Sequence, residues 1–136
     1  MRKIIFFGAG ILLLMLAGVK LIRVYRPHQN AAGEPTTASL SASDLYREFV
    51  NSESSANQKW VGKIIEVHGN ISSISEAGTY ISIILKAAEN GSVNCSIRKE
   101  DLVLWEKLKP GDLINIKGKC TGFLTDVELV DCVIKK

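Results

Sequence analysis

The chain has 136 residues, 46% of them hydrophobic and 23% charged, which allows one ordinary domain and excludes a collagen-like or wholly disordered chain. The formal net charge is +3, but residues 1–27 hold five basic side chains and no acidic one, which leaves residues 28–136 with 12 basic side chains against 14 acidic ones. The folded part is therefore slightly acidic, and this disfavours a strongly electropositive nucleic-acid-binding domain.

The N-terminus has the pattern of a membrane segment. An uncharged run extends from Ile4 to Val19 and continues beyond Lys20 to Ile22. This stretch, at about 1.5 Å per residue, measures roughly 28 Å as a helix, close to the hydrocarbon thickness of a bilayer. Lys20 lies near enough to the end of the run for its amine to reach the headgroups. Residues 1–26 are therefore predicted to be a single membrane-spanning signal anchor.

A cleaved secretory signal is the alternative for this segment, because Arg2 and Lys3 would suit its basic start. The residues after the apolar run offer poor small-residue spacing for cleavage, and no cysteine stands there for lipid attachment, so an uncleaved anchor is favoured. Basic side chains flank the run on both sides and leave the positive-inside count nearly balanced. A short N-terminal tail before the main domain is the usual export arrangement, which predicts the domain on the extracytoplasmic, periplasmic side.

Residues 27–40 are predicted to be a flexible linker, since up to Ser39 they hold one charged residue, two prolines and no large apolar side chain. The sequence from Ser41 to Asp44 then has the form of a helix capping box, although Ser43 could also cap directly. A stripe of apolar residues at helical spacing follows and predicts one helix over about 43–60 that packs on the next domain. The stripe consists of Leu45, Phe49, Ala56 and Trp60.

The remainder of the chain reads as five short strands with turn signals between them, among which Asn90-Gly91 is a strong two-residue hairpin signal. The predicted strands are Lys63–Ile74, Thr79–Lys86, a third that alternates over Val93–Arg98, a fourth that begins at Leu113 and alternates through Gly118, and a fifth over Val127–Cys132. A short helix is expected over Asp101–Leu108, between the third and fourth strands. A small sheet in this order hides its edges best by closing, so residues 41–136 are predicted to be a mostly β domain, a five-stranded Greek-key OB barrel with a leading helix.

Two paired patterns are more distinctive than the strands themselves. They are Gly118-x-Cys120-x-Gly122 and Leu129-x-Asp131-Cys132, preceded by Leu108-Lys109-Pro110-Gly111-Asp112 and, earlier, by Trp60-Val61-Gly62-Lys63. With these pieces, the stretch from about Ser43 to Cys132 resembles the tRNA_anti-like family of bacterial OB-fold proteins. The resemblance implies the OB fold and frequent occurrence behind a signal or membrane anchor, and it implies no catalytic residues.

The three cysteines, Cys95, Cys120 and Cys132, all fall in predicted strands, and in an exported domain two of them can be bridged. Cys120 and Cys132 are the favoured pair, because the fourth and fifth strands are expected to form a hairpin. Cys95 is the alternative partner, since the fifth strand lies beside the third in this barrel. A zinc or redox site is not expected, because there is no Cys-x-x-Cys and His68 lies in another strand.

Catalysis is not predicted. The acidic side chains are scattered, His68 is single and no glycine-rich phosphate loop is present, so we expect no enzyme, metal or cofactor.

Single-strand binding by an OB barrel uses aromatic side chains on its second and third strands within a basic groove. Tyr80 is the only aromatic residue in those strands, and the nearest basic candidates are Arg98, Lys117 and Lys119. The sequence therefore favours a membrane-tethered, non-enzymatic binding or interaction module of the bacterial envelope, with a protein or other envelope ligand. Single-stranded nucleic acid is the alternative ligand.

Overall fold

The structure is a computed structural model that describes residues 30–102 and 105–135. The predicted membrane anchor and the start of the linker lie outside these residues, and within them no helix is long and apolar enough to cross a bilayer. The elements in chain order are β1 (Ala38–Ser41), α1 (Ala42–Asn51), α2 (Glu53–Trp60), β2 (Ile64–Ala77), β3 (Tyr80–Ala88), β4 (Gly91–Arg98), β5 (Leu113–Phe123) and β6 (Val127–Lys135).

Strands β2 to β6 close into a five-stranded barrel. β2, β3 and β4 form an antiparallel meander, and β5 pairs antiparallel with both β2 and β6. The barrel is closed by a parallel seam of three residue pairs, in which Val93–Cys95 of β4 face Val127–Leu129 of β6. This is the strand order of the OB barrel predicted from the sequence, and the fold prediction is confirmed at that level.

The core follows from the two-residue period of the strands, in which alternate side chains point to opposite faces. The inward positions of β3 and β4 are occupied by apolar side chains and one thiol, namely Ile81, Ile83, Leu85, Ala87, Val93, Cys95 and Ile97. The intervening positions face outward and carry polar or long side chains, apart from the apolar Ile84 and Ala88. Two successive strands therefore supply one wall of the core and one continuous outer surface.

Helix α1 covers one end of the barrel. It begins as the capping motif predicts, with Ser41 Oγ accepting a hydrogen bond from the Asp44 backbone N–H at 3.0 Å. The helix places Leu45 and Phe49 in the core, and the Phe49 ring stacks on Phe123 with centroids 5.7 Å apart. The leading helix is thus part of the domain core.

The single helix expected over 43–60 is two helices that meet at Ser52. Ser52 has an extended backbone (φ −160°, ψ 92°). Its N–H donates the last hydrogen bond of α1 to the Glu48 carbonyl, and its own carbonyl accepts the first hydrogen bond of α2 from the Ala56 N–H. The break falls where the apolar stripe is interrupted: residues 51–55 are polar and exposed, so no buried side chain keeps the helix continuous there. The bend lets the Trp60 indole N–H donate to Glu48 Oε2 at 2.7 Å.

Between β4 and β5 the structure also departs from the sequence-based prediction. In place of a short α-helix over 101–108 there are two 3₁₀ turns, Lys99–Asp101 and Trp105–Lys107. The Leu102 N–H bonds to the Lys99 carbonyl at 3.3 Å, a three-residue spacing that tightens the chain before a full α-turn can form.

Residues 30–37, here called the strap, and β1 differ from the flexible linker expected over 27–40. Ala31 is buried, Asn30 Nδ2 donates to Asp101 Oδ1 at 2.9 Å, and the Thr37 N–H donates to the Ile64 carbonyl at 2.7 Å. β1 then pairs in parallel with β2. A search for large apolar residues misses such a segment, because it is held by hydrogen bonds to residues distant in the chain and by one small buried side chain. The folded domain therefore begins before residue 41.

Candidate functional site

The outward side chains of β3, β4 and β6 form one continuous surface, here called the outer face. Its members are Tyr80, Ser82, Ile84 and Lys86 of β3, Ser92, Asn94, Ser96 and Arg98 of β4, Asp126 just before β6, and Glu128 near the start of β6. Cross-strand register places Tyr80 opposite Arg98, and Asn94 opposite Glu128. The second and third strands of OB barrels, here β3 and β4, commonly carry the ligand surface, so this is the candidate binding site.

The middle of the outer face is a network of polar side chains joined by hydrogen bonds. Ser82 Oγ donates to Asn94 Oδ1 at 2.5 Å, and Asn94 Nδ2 donates to Glu128 Oε2 at 3.0 Å. Beside them the Ser92 hydroxyl and backbone N–H both donate to Asp126 Oδ1, at 2.6 and 3.1 Å. The face is therefore already ordered, and it places two carboxylates where β4 and β6 meet.

Burial raises the pKa of the Glu128 carboxyl above its ordinary value of 4.5, and the nearby charge of Asp126 adds to the effect, while the hydrogen bond from Asn94 opposes it. At pH values just above 4.5, the Glu128 carboxyl is consequently protonated in a larger fraction of folded than of unfolded molecules. The contribution of Glu128 to the free energy of unfolding is most favourable at low pH and declines as the pH rises through the folded pKa.

Replacing Glu128 with glutamine is therefore expected to raise the melting temperature at pH 7, by less than about 4 °C, and to leave it nearly unchanged at pH 4. Glutamine keeps an oxygen that can accept the Asn94 hydrogen bond but carries no charge to desolvate. Calorimetric melts of both proteins between pH 4 and pH 7 would measure this difference. A lower melting temperature for Glu128→Gln at pH 7 would contradict it.

The other end of the outer face is a groove of about 460 Å³ lined by Gly78, Thr79, Tyr80, Arg98, Lys99 and Glu100. Tyr80 is 38% exposed there and lies opposite Arg98. Both cations of the groove are already in ion pairs. Arg98 Nη1 contacts Glu100 Oε1 at 3.2 Å, and Lys99 Nζ contacts Glu76 Oε2 at 2.5 Å. The structure thus brings together Tyr80 and Arg98, two of the four predicted nucleic-acid contacts.

Lys117 and Lys119 do not join them, because both lie on β5, away from the outer face. Lys117 is only 5% exposed, beneath the strap, where its ammonium donates to the backbone carbonyls of Glu34 and Ala32. Lys119 is exposed and lines a separate groove with Asn30 and Asp131. Strand alternation puts the two lysines on the same side of β5, but the sequence offered no sign that the strap covers one of them.

Replacing Lys117 with methionine is expected to loosen the strap. Methionine keeps much of the apolar stem but leaves the Glu34 and Ala32 carbonyls without their donor. The loss of hydrogen bonding is worth about 1 kcal/mol, so amide exchange in residues 30–41 should become about fivefold faster. Hydrogen-exchange mass spectrometry would measure it, with the exposed neighbour Lys119→Met as the matched control. Equal exchange in both variants would show that Lys117 does not hold the strap.

The cysteines are buried and free in this structure. The favoured pair, Cys120 and Cys132, is not bridged. Cys120 lies beside the start of β2, where its backbone forms hydrogen bonds with Gly62 and Lys63, whereas the Cys132 thiol lies close to Cys95. Burial raises the pKa of the Cys120 thiol to about 11. In the described residues, no group of three His, Cys, Asp or Glu side chains could hold a metal ion.

The tRNA_anti-like family model matches residues 1–134, which includes the apolar N-terminal run. Among solved structures, a lipoprotein of Klebsiella pneumoniae provisionally described as nucleic acid-binding has a TM-score of 0.59 at 19% identity, over 72% of this chain and 92% of that one. A replication factor A related protein of Methanobacterium thermoautotrophicum has a TM-score of 0.46 at 20% identity, over 55% of this chain and 81% of that one. No curated protein matches the sequence.

Proposed function

The chain belongs to the tRNA_anti-like family of OB-fold proteins, and we propose that it is a membrane-tethered, non-enzymatic binding module of the bacterial envelope. Its ligand in this proposal is a protein partner, bound on the outer face. Fold alone does not fix a ligand, so the proposal rests on the chemistry of that face.

The observation that carries the proposal is the carboxylate-bearing polar network in the middle of the outer face. A nucleic-acid strand needs cations for its phosphates and rings for its bases. Where β4 and β6 meet, the face instead presents Asp126 and Glu128, held by Ser92 and Asn94. Lys86 lies nearby, but in a groove that it shares with Glu89 and Asp126. Such a surface repels phosphates and suits the backbone amides and basic side chains of a protein.

Three observations support the tether. The apolar run of residues 4–22 has the length of a membrane span. The family model includes that run, because it matches from residue 1. The Klebsiella structural neighbour is described as a lipoprotein, a class of protein held at a membrane through its N-terminus. The strap begins at Asn30, so few residues separate the run from the domain.

Site-specific photo-crosslinking in living cells tests the binding face. The photo-crosslinker p-benzoylphenylalanine is placed at Ile84, in the outer face, and in a control protein at His68, which is exposed on β2 and lies outside it. We expect a discrete adduct from position 84 that protease removes and nuclease does not. A nuclease-sensitive adduct, or equal adducts from both positions, would contradict a protein ligand on this face.

Labelling of an added cysteine tests the tether and the side of the membrane. The three natural cysteines are buried, so a membrane-impermeant maleimide would not report on the folded domain. Thr125→Cys adds a thiol to the exposed β5–β6 loop. We expect labelling in intact spheroplasts and retention of the chain in the membrane fraction after alkaline carbonate washing. Labelling only after lysis would contradict an extracytoplasmic domain, and release by carbonate would contradict a membrane span.

Single-stranded nucleic-acid binding is the second candidate, favoured by the exposed Tyr80 ring beside Arg98 at the 460 Å³ groove. Titration of the full chain in detergent with a fluorescent oligonucleotide at low and moderate salt would test it. Binding that weakens with salt and is lost in Tyr80→Ala would favour this candidate over the protein partner. The absence of binding at low salt would remove it.

A further inference from the structure

The parallel seam between β4 and β6 closes the barrel with only three residue pairs. The seam ends at Cys95 on β4 and at Leu129 on β6. Cys132 lies a few residues beyond Leu129 on β6. Both side chains point into the core and are fully buried. The shortness of the seam makes it the place where a covalent link would do most to keep the barrel closed.

A bulge in β6 turns Cys132 towards Cys95. Asp131 has a positive φ of 52°, and the β5–β6 register shifts between Lys117 and Lys119. The extra residue puts Cys132 opposite Gly118, which has no side chain to occupy the space taken by the sulfur. The Cys132 thiol consequently lies close to the Cys95 thiol and to the backbone at Ser96.

We propose that Cys95 and Cys132 form a disulfide across this seam when the protein folds in the presence of an oxidising disulfide, such as glutathione disulfide. Two S–H bonds are lost and one S–S bond forms in the protein, while the S–S bond of the oxidant is reduced to two thiols. Cys120 stays reduced, because it faces Leu129 and packs beside β2.

The bond forms during folding, before the seam closes. In the folded domain both sulfurs are shielded from solvent, and burial raises the pKa of the Cys132 thiol, so little of the nucleophilic thiolate is present. In the cell, this inference rests on the extracytoplasmic location proposed above, where such oxidants are found. The pairing itself depends only on the barrel and can be tested outside the cell.

The test is oxidative refolding of the full chain in detergent. The reduced protein is unfolded in urea and refolded in a glutathione redox buffer, and its free thiols are then alkylated under denaturing conditions and mapped by mass spectrometry. We expect one alkylated cysteine, Cys120, and one linked peptide pair containing Cys95 and Cys132. The oxidised protein should melt about 10 °C above the reduced one, because the bond closes a long loop.

Variants separate the possible outcomes. Cys120→Ala should leave the linked peptides and the rise in melting temperature intact, whereas Cys95→Ala should abolish both. A Cys120–Cys132 link, or three free thiols in protein that has regained its native circular dichroism spectrum, would overturn the proposal. If the pair forms in vitro but is reduced in protein alkylated within intact cells, the proposed location is wrong and the pairing stands.

Discussion

Replacing Phe49 with alanine is expected to lower the free energy of unfolding by about 3–5 kcal/mol, the usual cost of removing a buried phenylalanine ring. Phe49 is 1% exposed and lies on the buried side of α1, where its ring stacks on Phe123 at the end of the barrel. Backbone pairing with β6 fixes Phe123, so the space left by the ring can collapse only partly. Because small domains are stable by about 5–15 kcal/mol in total, this variant should be close to unfolding at 37 °C.

Urea unfolding of the full chain in detergent, followed by tryptophan fluorescence, would measure this loss. Val50→Ala is the matched control, since Val50 is the next residue on the same helix and is 57% exposed. It should change the free energy of unfolding by no more than about 0.5 kcal/mol. If Phe49→Ala were no more destabilising than Val50→Ala, α1 would not be a structural part of the barrel domain.

The strands were predictable because their information is local. β3 was predicted from its β-branched and aromatic residues, alternation predicted the two faces of β4, and the Asn90-Gly91 pair marked the turn between them. The register set by this turn places Tyr80 opposite Arg98, although the sequence selected them only as the one aromatic residue and one of the nearest basic residues. What the turn pattern did not reveal is that the Tyr46 ring lies directly over Gly91, leaving no room for a side chain there.

The strap and the break at Ser52 were not predictable, because their information is not local. Residues 30–37 have no apolar pattern, and their order depends on acceptors and donors supplied by Asp101, Ile64 and Lys117. Lys117 was predicted to be an exposed strand residue because its hydrogen-bond partners in the strap are far from it in the sequence. A partner more than 80 residues away along the chain cannot be inferred from spacing, although it decides whether a cation is available to a ligand.

The cysteine pairing shows how a small irregularity changes a long-range prediction. A regular β5–β6 hairpin made Cys120 the favoured partner of Cys132. The register instead pairs Cys120 with Leu129, and the bulge at Asp131 turns Cys132 into the core, close to Cys95. A positive φ at a single non-glycine residue is difficult to read from sequence, although aspartate adopts it more readily than most residues.

Replacing Gly118 with alanine is expected to lower the free energy of unfolding by about 3 kcal/mol, the upper end of the usual cost of overpacking a core. A Cβ at this position would overlap Cys132 Sγ and would lie 3.3 Å from the Val130 carbonyl oxygen. Gly118 is paired with Ile65 of β2 on one side and lies beside β6 on the other, so neither backbone can move away. Its φ does not need glycine, so the cost is one of space alone.

Urea unfolding under reducing conditions would measure this effect, with Gly33→Ala as the matched control, because a Cβ at Gly33 would meet nothing within 4 Å. Cys132→Ala removes the sulfur that the new methyl group would meet. The double variant Gly118→Ala with Cys132→Ala should therefore be at least about 1 kcal/mol more stable than the sum of the two single effects predicts. If the two losses in the free energy of unfolding were additive, Gly118 and Cys132 would not be in contact. The position of Cys132 from which the Cys95–Cys132 disulfide is inferred would then be wrong.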